Sequence, residues 1–396
     1  MSRAVVVSAL GVTQILAWGS TYYLPAVLAG PIASDTGWPL SWIVGALSLG
    51  LLVAALVSPR VGGAIEREGG RRVLAASAIM IGLGQIGLAV APSLPAFIGG
   101  WLVIGVGMGA GLYDAAFATL GRLYGGDARR AITSLTLFGG FASTACWPLS
   151  AYLATAIGWR WTCATYAAIQ FGLALPVYLL ALPRASPARD GELASAGAAR
   201  GPAPAEPRSG MLMLLVTTLT LSAMLSAALS VHLLPILQAR GASLAAAVSL
   251  GAVIGPCQVG ARAIEMAIAR HRHPIWTKLA SVSGMAIGIA ALWAKFAPAG
   301  AALLFYGAGI GLESIARGTL PLALFGPIGY ARLMGRLARP SLIAQAAAPW
   351  AGALVLSRYG ADATLAVLAA VALLNVALTA ALVANWRAGL RRASLA

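Results

Sequence analysis

The sequence predicts an all-α membrane protein with twelve transmembrane helices in two pseudo-symmetric six-helix bundles. Hydrophobic residues make up 60% of the 396-residue chain and charged residues only 10%, whereas a soluble domain carries about 25% charged residues. The apolar residues form continuous runs and do not alternate with a period of two, which favours helices over a barrel. A glycine-rich motif also occurs twice, half a chain apart.

Twelve apolar runs each reach the roughly 20 residues that a helix needs to cross a bilayer. In chain order they cover 5–31, 39–58, 73–91, 95–121, 131–156, 161–182, 211–238, 243–268, 275–296, 299–325, 331–357 and 361–386. Residues 183–210 interrupt the pattern with Pro, Ala, Gly and Arg, and we expect them to be a disordered cytoplasmic linker. The predicted domains are therefore an N-terminal half over 1–182 and a C-terminal half over 211–396.

The repeated motif supports this division. Gly107-Met-Gly109-Ala-Gly111-Leu112 in the fourth run returns 200 residues later, in the tenth run, as Gly307-Ala-Gly309-Ile-Gly311-Leu312. Equivalent runs start on the same side of the membrane, so the halves are expected to be parallel repeats. Duplicated helical units that carry charges at membrane depth are typical of secondary transporters.

The net charge of +16 follows the membrane topology. If both termini are cytoplasmic, most of the 27 Lys and Arg residues, including Lys278, lie in cytoplasmic segments, as the positive-inside rule requires. The exceptions are Arg160, Arg240, Lys295 and Arg358 outside, and Arg317 within a span. We therefore expect no nucleic-acid partner.

Sequence patterns of common enzymes are absent. The chain contains no Gly-x-x-x-x-Gly-Lys-Ser/Thr loop, no Gly-x-Ser-x-Gly elbow and no His-Glu-x-x-His pair. The three cysteines, Cys146, Cys163 and Cys257, lack the close spacing of a metal site. We expect no enzymatic activity, no cofactor and no metal, although a membrane-embedded enzyme is the alternative that product formation without a gradient would reveal.

The segment after the second run reads Gly62-Gly63-Ala-Ile-Glu66-Arg67-Glu-Gly69-Gly70-Arg71-Arg72. It resembles the major facilitator superfamily signature Gly-x-x-x-Asp-Arg-x-Gly-Arg-Arg, with one extra Gly, and Gly158-Trp-Arg-Trp161 also resembles that superfamily. The region Asp35 to Trp42 is similar to the monocarboxylate and oxalate/formate branch and to bacterial arsenite-efflux permeases. The resemblance implies rocking of two halves about a central site. An acid and several arginines at a cytoplasmic helix end can pair with a neighbouring span and its terminal dipole. This loop is therefore a candidate gating element, with the candidate residues Gly63, Glu66, Arg67, Arg71 and Arg72, and charge that only sets the topology is the alternative.

Ionisable residues inside the spans are the candidates for proton coupling. Asp114 lies in the fourth run, where a charge costs about 2.5–3.5 kcal/mol on insertion scales. The small residues around it, Gly107, Gly111, Ala118 and Gly121, are spaced as one helical face that fits either a wet cavity or a packed neighbour helix. Glu313 and Arg317 are one turn apart in the tenth run, where they either neutralise each other or line the transport path. In the second case Arg317 holds an anionic substrate group and Glu313 takes up the proton.

Four further residues, in the first and seventh spans, are candidates for the substrate cavity. Gln14, Trp18 and Tyr22 are spaced as one face of the first span and combine an amide with amphipathic aromatic rings. An aromatic belt at the membrane interface is the alternative. His232 lies three residues before Pro235 in the seventh span. Histidine is the side chain that proteins most often use as a pH switch, so His232 is a candidate for substrate binding and proton coupling, or alternatively a packing residue.

The expected function is secondary active transport of a small solute, either a small anion or a metalloid or drug-like compound, coupled to protons. Pro148 and the small residues near it in the fifth span favour efflux. We expect a monomer in a bacterial-type inner membrane with both termini cytoplasmic. A transporter-like receptor or assembly protein that moves nothing is the alternative.

Overall fold

The computed structural model describes residues 2–184, 209–268 and 272–393, and the predicted linker over 183–210 lies almost entirely outside them. Every regular element in this part of the chain is helical, which confirms the predicted all-α class. A 3₁₀ turn, Gly125–Asp127, and a π-helical segment, Gln170–Ala174, join neighbouring helices. The α-helices are α1 (Arg3–Ser20), α2 (Leu24–Thr36), α3 (Leu40–Glu68), α4 (Gly70–Ala89), α5 (Leu94–Gly111), α6 (Tyr113–Tyr124), α7 (Ala128–Gly140), α8 (Ala142–Ile169), α9 (Leu175–Ala181), α10 (Ser209–Ala239), α11 (Leu244–Ala252), α12 (Ile254–Ile268), α13 (Pro274–Ala294), α14 (Ala299–Phe325) and α15 (Tyr330–Ala393).

Two long helices contain glycines that mark joints between predicted spans. Gly158 in α8 has φ 80°, ψ 163°, and Gly360 in α15 has φ 80°, ψ −178°. Residues with a side chain rarely adopt such a φ, so glycine permits both breaks. The breaks fall where the sequence places the joins between the fifth and sixth spans and between the eleventh and twelfth.

Among the described residues, nine helical stretches are long and apolar enough to cross a membrane. Two of them, Leu94–Ala181 and Tyr330–Arg392, contain 88 and 63 residues. These lengths are several times the roughly 20 residues of one crossing. The protein is therefore a multi-pass membrane protein.

The chain forms two compact units. The first contains Met1–Gly201 together with Gly326–Ala346. Its core packs α3 and α4 against α5, with the buried aromatic side chains of Phe97 and Trp101 at its centre. The segment Gly326–Ala346, which the sequence assigns to the C-terminal half, packs with this unit.

The second unit contains Pro202–Phe325 and Ala347–Ala396. Helix α14 packs against α13 on one side and α12 on the other. The contact with α13 is close, because a Cβ atom on Gly288 would lie 2.6 Å from the carbonyl oxygen of Ala302. Small residues thus let these backbones approach, as in other membrane helices.

The glycine contacts place the internal repeat in a register two residues from the one that the sequence motif indicates. Gly107 packs against the Ser77 carbonyl oxygen in α4, and the residue with the same contact in α14 is Gly309, which packs against the Ser281 carbonyl oxygen in α13. Gly307, the counterpart by sequence, packs instead against α12. The identical glycines of the motif therefore occupy different sides of their helices, and Gly111 corresponds by packing to Glu313.

Candidate functional site

The fourth predicted span is interrupted beside its acid. Helix α5 ends at Gly111, Leu112 is extended with φ −81° and ψ −170°, and α6 begins at Tyr113. Asp114 therefore lies half-buried in the first turn of α6, where the helix dipole stabilises a negative charge. Discontinuous helices of this kind form substrate and ion sites in transporters.

The prediction of a single face from Gly107 to Gly121 is wrong, because the break at Leu112 separates its two parts. Gly111 packs on α4, where a Cβ atom would lie 2.4 Å from the Ser77 hydroxyl oxygen. Gly121 instead packs on the ring of Tyr330, and a Cβ atom on Gly121 would lie 2.2 Å from that ring. The glycines on both sides of Asp114 thus serve close helix packing, the second of the two alternatives for this stripe.

Aromatic rings surround Trp18 in the first unit. Its ring centroid lies 5.4 Å from that of Tyr22, 6.0 Å from Tyr23 and 5.1 Å from Tyr113. Tyr23 also contacts Trp147, at 6.2 Å between centroids. Because Tyr113 precedes Asp114, this aromatic cluster of five residues lies beside the acid.

The sequence predicted that Trp18 and Tyr22 share one face of a continuous helix, but the structure brings them together in another way. Helix α1 ends at Ser20, and Tyr22 lies in the turn before α2. Pro25 in the first turn of α2 favours a new helix start there, since its missing N–H is not needed. Trp18 and Tyr22 still meet, through the turn and not along a continuous helix.

Two buried polar atoms near the cluster have no hydrogen-bond partner among the described residues. They are the Trp18 Nε1 and the Gln14 Oε1. The Gln14 side chain is fully buried and donates from Nε2 to the carbonyl oxygen of Gly111 at 2.6 Å. It therefore binds the end of α5 at the break before Asp114. Unpaired buried groups are uncommon, and a bound solute is one explanation for them.

The second unit contains a buried ion pair that the sequence analysis missed. The Lys278 ammonium lies 2.5 Å from Glu313 Oε1, and the Lys278 side chain has no solvent exposure, against 15% for Glu313. Sequence counting placed Lys278 among the cytoplasmic cations. Its long side chain instead reaches the acid from α13.

Polar side chains from four helices complete this ion-pair network. Lys278 also donates to the Ser222 hydroxyl at 3.0 Å and to the Thr218 carbonyl oxygen at 3.2 Å. Ser281 donates to Glu313 Oε2 at 2.7 Å, and Asn375 donates to Ser222 at 2.9 Å. The network joins α10, α13, α14 and α15, so both charges have several hydrogen bonds.

Arg317 and His232 have different surroundings in the second unit. Arg317 is half-buried one turn after Glu313 on α14. His232 is 6% exposed, and its Nε2 lies 2.8 Å from the carbonyl oxygen of Pro349. A Cβ atom on Gly352 would lie 2.6 Å from the His232 ring. His232 thus packs tightly against α15, the geometry of the packing alternative, while its functional role stays a prediction.

The candidate gating loop contacts the start of α15. Glu66 Oε2 accepts a hydrogen bond from the Ala331 backbone N–H at 3.2 Å. One turn earlier, Gly62 meets Gly335, whose Cα would lie 3.0 Å from a Cβ on Gly62. An acid at a helix N-terminus is stabilised by the helix dipole. Of the loop arginines, Arg67 and Arg72 are exposed and Arg71 is half-buried, and Gly63 is buried in α3.

The two remaining motif regions meet in the first unit. The Trp159 indole N–H donates to Asp35 Oδ2 at 2.8 Å. The Arg160 guanidinium lies 4.3 Å from the Trp159 ring centroid and donates to the carbonyl oxygens of Ala89 and Ala91 at 3.1 and 2.9 Å. These contacts join the ends of α2 and α4 to α8.

Comparison with known proteins now identifies the family. A family model described as the Major Facilitator Superfamily matches residues 10–338. The chain belongs to the major facilitator superfamily. Membership makes it a transporter by family and not an enzyme. No curated protein matches the sequence.

Solved structures of transporters share the fold. The chain is similar to the human organic anion transporter MFSD10 (TETRAN), with a TM-score of 0.75 and 18% identity over 95% of this chain and 99% of that one. It is also similar to the proton:xylose symporter XylE bound to 6-bromo-6-deoxy-D-glucose, with a TM-score of 0.73 and 13% identity over 94% of each chain. A double-tryptophan variant of XylE is similar with a TM-score of 0.77 and 14% identity, over 96% of this chain and 95% of that one. At these identities the likeness concerns the fold alone.

Proposed function

We propose that this major facilitator protein is a proton-coupled secondary transporter with twelve membrane crossings, which moves a small solute by alternating access. The observation that carries the proposal is the Lys278–Glu313 pair, with the Lys278 side chain fully buried. Ionisable residues inside a membrane are costly and are typically retained for ion or substrate pathways. Glu313 keeps 15% exposure, and the proposed proton would reach its carboxylate on this exposed side.

Protonation of Glu313 would change the charge balance of the whole network. With the carboxyl neutral, the Lys278 ammonium keeps its hydrogen bonds to Ser222 and Thr218 but loses its counterion. Arg317, one turn further along α14, adds a second positive charge. We infer that proton uptake at Glu313 favours a different helix arrangement or an anionic solute nearby, which would couple the two fluxes.

Asp114 is the proposed second proton-coupling residue. Its place in the first turn of α6, beside the break at Leu112 and next to Tyr113 of the aromatic cluster, supports this role. Within the first unit, Trp18 and Tyr22 would contact a ring or apolar face of the solute. The unpaired Trp18 N–H and Gln14 carbonyl oxygen would supply hydrogen bonds to it.

The proposed substrate class is a small anion, or a metalloid or drug-like compound. Arg317 favours an anionic group, and one structural neighbour is an organic anion transporter by its name. The basic segments support a bacterial-type inner membrane with both termini cytoplasmic. We propose that His232 positions α15 through Pro349, so that it takes part in proton coupling through the position of this helix. We also propose that the protein acts as a monomer.

The gating loop would hold one state of the transport cycle. The Glu66 bond to the Ala331 N–H and the Gly62–Gly335 approach support this proposal. Gly62→Ala tests it, because the added methyl carbon would lie 2.5 Å from the Ala331 carbonyl oxygen. Gly45→Ala is the matched control on the same helix, since nothing lies within 4 Å of its Cβ position. We expect only Gly62→Ala to change the turnover rate.

Flux measurements in proteoliposomes test the proposed function. A thermal-shift screen of small monocarboxylates, dicarboxylates and arsenite first identifies a stabilising solute. Its movement is then measured with and without an imposed pH gradient, in the wild type and in Asp114→Asn. We expect gradient-driven accumulation by the wild type and its loss in the variant. Binding without flux would instead favour a receptor.

A further inference from the structure

A groove lies in the second unit between the start of α13 and the end of α15, and none of its lining residues belongs to the Lys278–Glu313 network. Its volume is about 640 Å³. Leu279, Ala380, Val383 and Ala384 form its apolar floor. The three α15 residues are spaced by three and four, so they share one face of that helix.

Arginines form the rim of this basic groove. Arg387, Arg391 and Arg392 line it, and no acidic side chain does so among the residues that the structure describes. Arg387 and Arg391 are four residues apart on a helix, a spacing at which like charges destabilise each other. The helix dipole accounts for cations in the last turn, where Arg391 and Arg392 lie. Arg387 lies before that turn, so the dipole does not explain its position.

Aromatic contacts hold the two sides of the groove together. The Arg387 guanidinium carbon lies 5.0 Å from the centroid of the Trp276 ring, within cation–π distance. Nearby, His273 and Trp386 are stacked, with 4.4 Å between centroids and 25° between planes. Tryptophan is enriched at membrane interfaces, where its ring lies at the level of the lipid headgroups. Ring contacts therefore link the two sides of the groove, and its tryptophans suit the headgroup level of a bilayer.

We propose that this groove binds an anionic phospholipid, with its phosphate on Arg387 and Arg392 and an acyl chain along the apolar floor. Guanidinium groups bind phosphate oxygens through paired hydrogen bonds, and basic pockets between membrane helices bind acidic lipid headgroups. A soluble anion would use the rim but not the floor of Leu279, Ala380 and Val383. The combination of rim and floor selects a lipid. This site is independent of the proposed transport mechanism.

Lipid binding to the purified full chain tests the proposal directly. Native mass spectrometry in detergent measures binding of phosphatidylglycerol and of phosphatidylethanolamine with the same acyl chains, with glycerophosphate as the soluble probe. We expect phosphatidylglycerol to bind tightest and glycerophosphate not to bind. A basic residue near the surface is worth about five-fold in binding an acidic lipid, so the Arg387, Arg391 and Arg392→Ala triple variant should weaken phosphatidylglycerol binding by about 125-fold.

The control variant removes three other exposed arginines, Arg130, Arg336 and Arg339, and loses the same net charge. It should retain binding at the groove, since none of the three lines it. Ala380→Trp keeps every charge but fills the apolar floor, and it should also abolish binding. It replaces the triple variant if that variant does not fold. Equal binding of the two lipids, equal losses in the two triple variants, or unchanged binding by Ala380→Trp would each overturn the proposal.

Discussion

Replacing Glu313 with Gln leaves the Lys278 ammonium without a counterion inside the second unit. Removing one partner of a buried ion pair costs about 3–5 kcal/mol, because the remaining charge stays buried. Lys278 has no solvent exposure, whereas Glu313 is 15% exposed. We therefore expect Glu313→Gln to fall near the upper end of that range and Lys278→Met near the lower end, since the remaining carboxylate is partly exposed.

The double variant Lys278→Met/Glu313→Leu separates stability from coupling. Replacing both members of a buried pair by apolar groups of similar volume is often neutral or stabilising, by about 1–4 kcal/mol. The double variant should therefore recover most of the stability that the single variants lose. Thermal unfolding in detergent measures this stability. The signal is the reaction of a thiol-specific fluorophore with the three free cysteines as they become accessible. Asp127→Asn is the control, because both members of its pair with Arg3 are exposed, so the variant should change the melting temperature little.

Transport by the same variants tests the role of the pair. If Glu313 carries the proton, the folded double variant should still exchange solute but no longer accumulate it against a gradient. If the single variants have the same melting temperature as the wild type, the expected cost of breaking the ion pair is refuted. Proton-driven accumulation by the double variant would refute the coupling role and leave the pair a structural one.

Glu66→Gln should slow turnover about five-fold with little change in binding, because an acid at a helix N-terminus is worth about 1 kcal/mol. Glu68→Gln, two residues later and exposed, is its control, and a larger effect on affinity than on turnover would contradict the latch. Trp159→Phe removes the donor to Asp35 and should destabilise the protein by about 1.5–3 kcal/mol, as measured by thermal unfolding. Trp18→Phe removes an N–H that has no partner among the described residues, so it should weaken solute binding about ten-fold without lowering the melting temperature.

The helical class, the family and several helix joints were predictable from local sequence. Long apolar runs require helices in a bilayer whatever their neighbours are, and Gly158 and Gly360 lie where the predicted spans meet. The contact of Glu66 with α15 agrees with the expectation that the loop acid pairs with a neighbouring helix end. These features depend on residue type and spacing along the chain.

The partners of the candidate site residues were not predictable in this way. Gln14 binds a carbonyl oxygen 97 residues away, and Lys278 binds an acid 35 residues away, so no helical spacing records either contact. Lys278 lies one turn after the start of α13. From the sequence, a cation at the end of a span is expected to set the membrane topology. The signal that distinguishes it is composition, since it is one of only two lysines in the chain, among 25 arginines. A compact ammonium on a flexible stem suits a buried partner in another helix.

The two acids at membrane depth are not repeat equivalents, although the repeated motif places them in matching stretches. By packing, the residue that corresponds to Glu313 is Gly111, whose carbonyl oxygen receives Gln14 in the first unit. In the second unit the same position carries a carboxylate that receives Lys278 and Ser281. A position bound by a donor in both units has thus become charged in only one of them. The first unit has its acid three residues later, at a helix break, so the two halves would contribute different chemistry to one transport cycle.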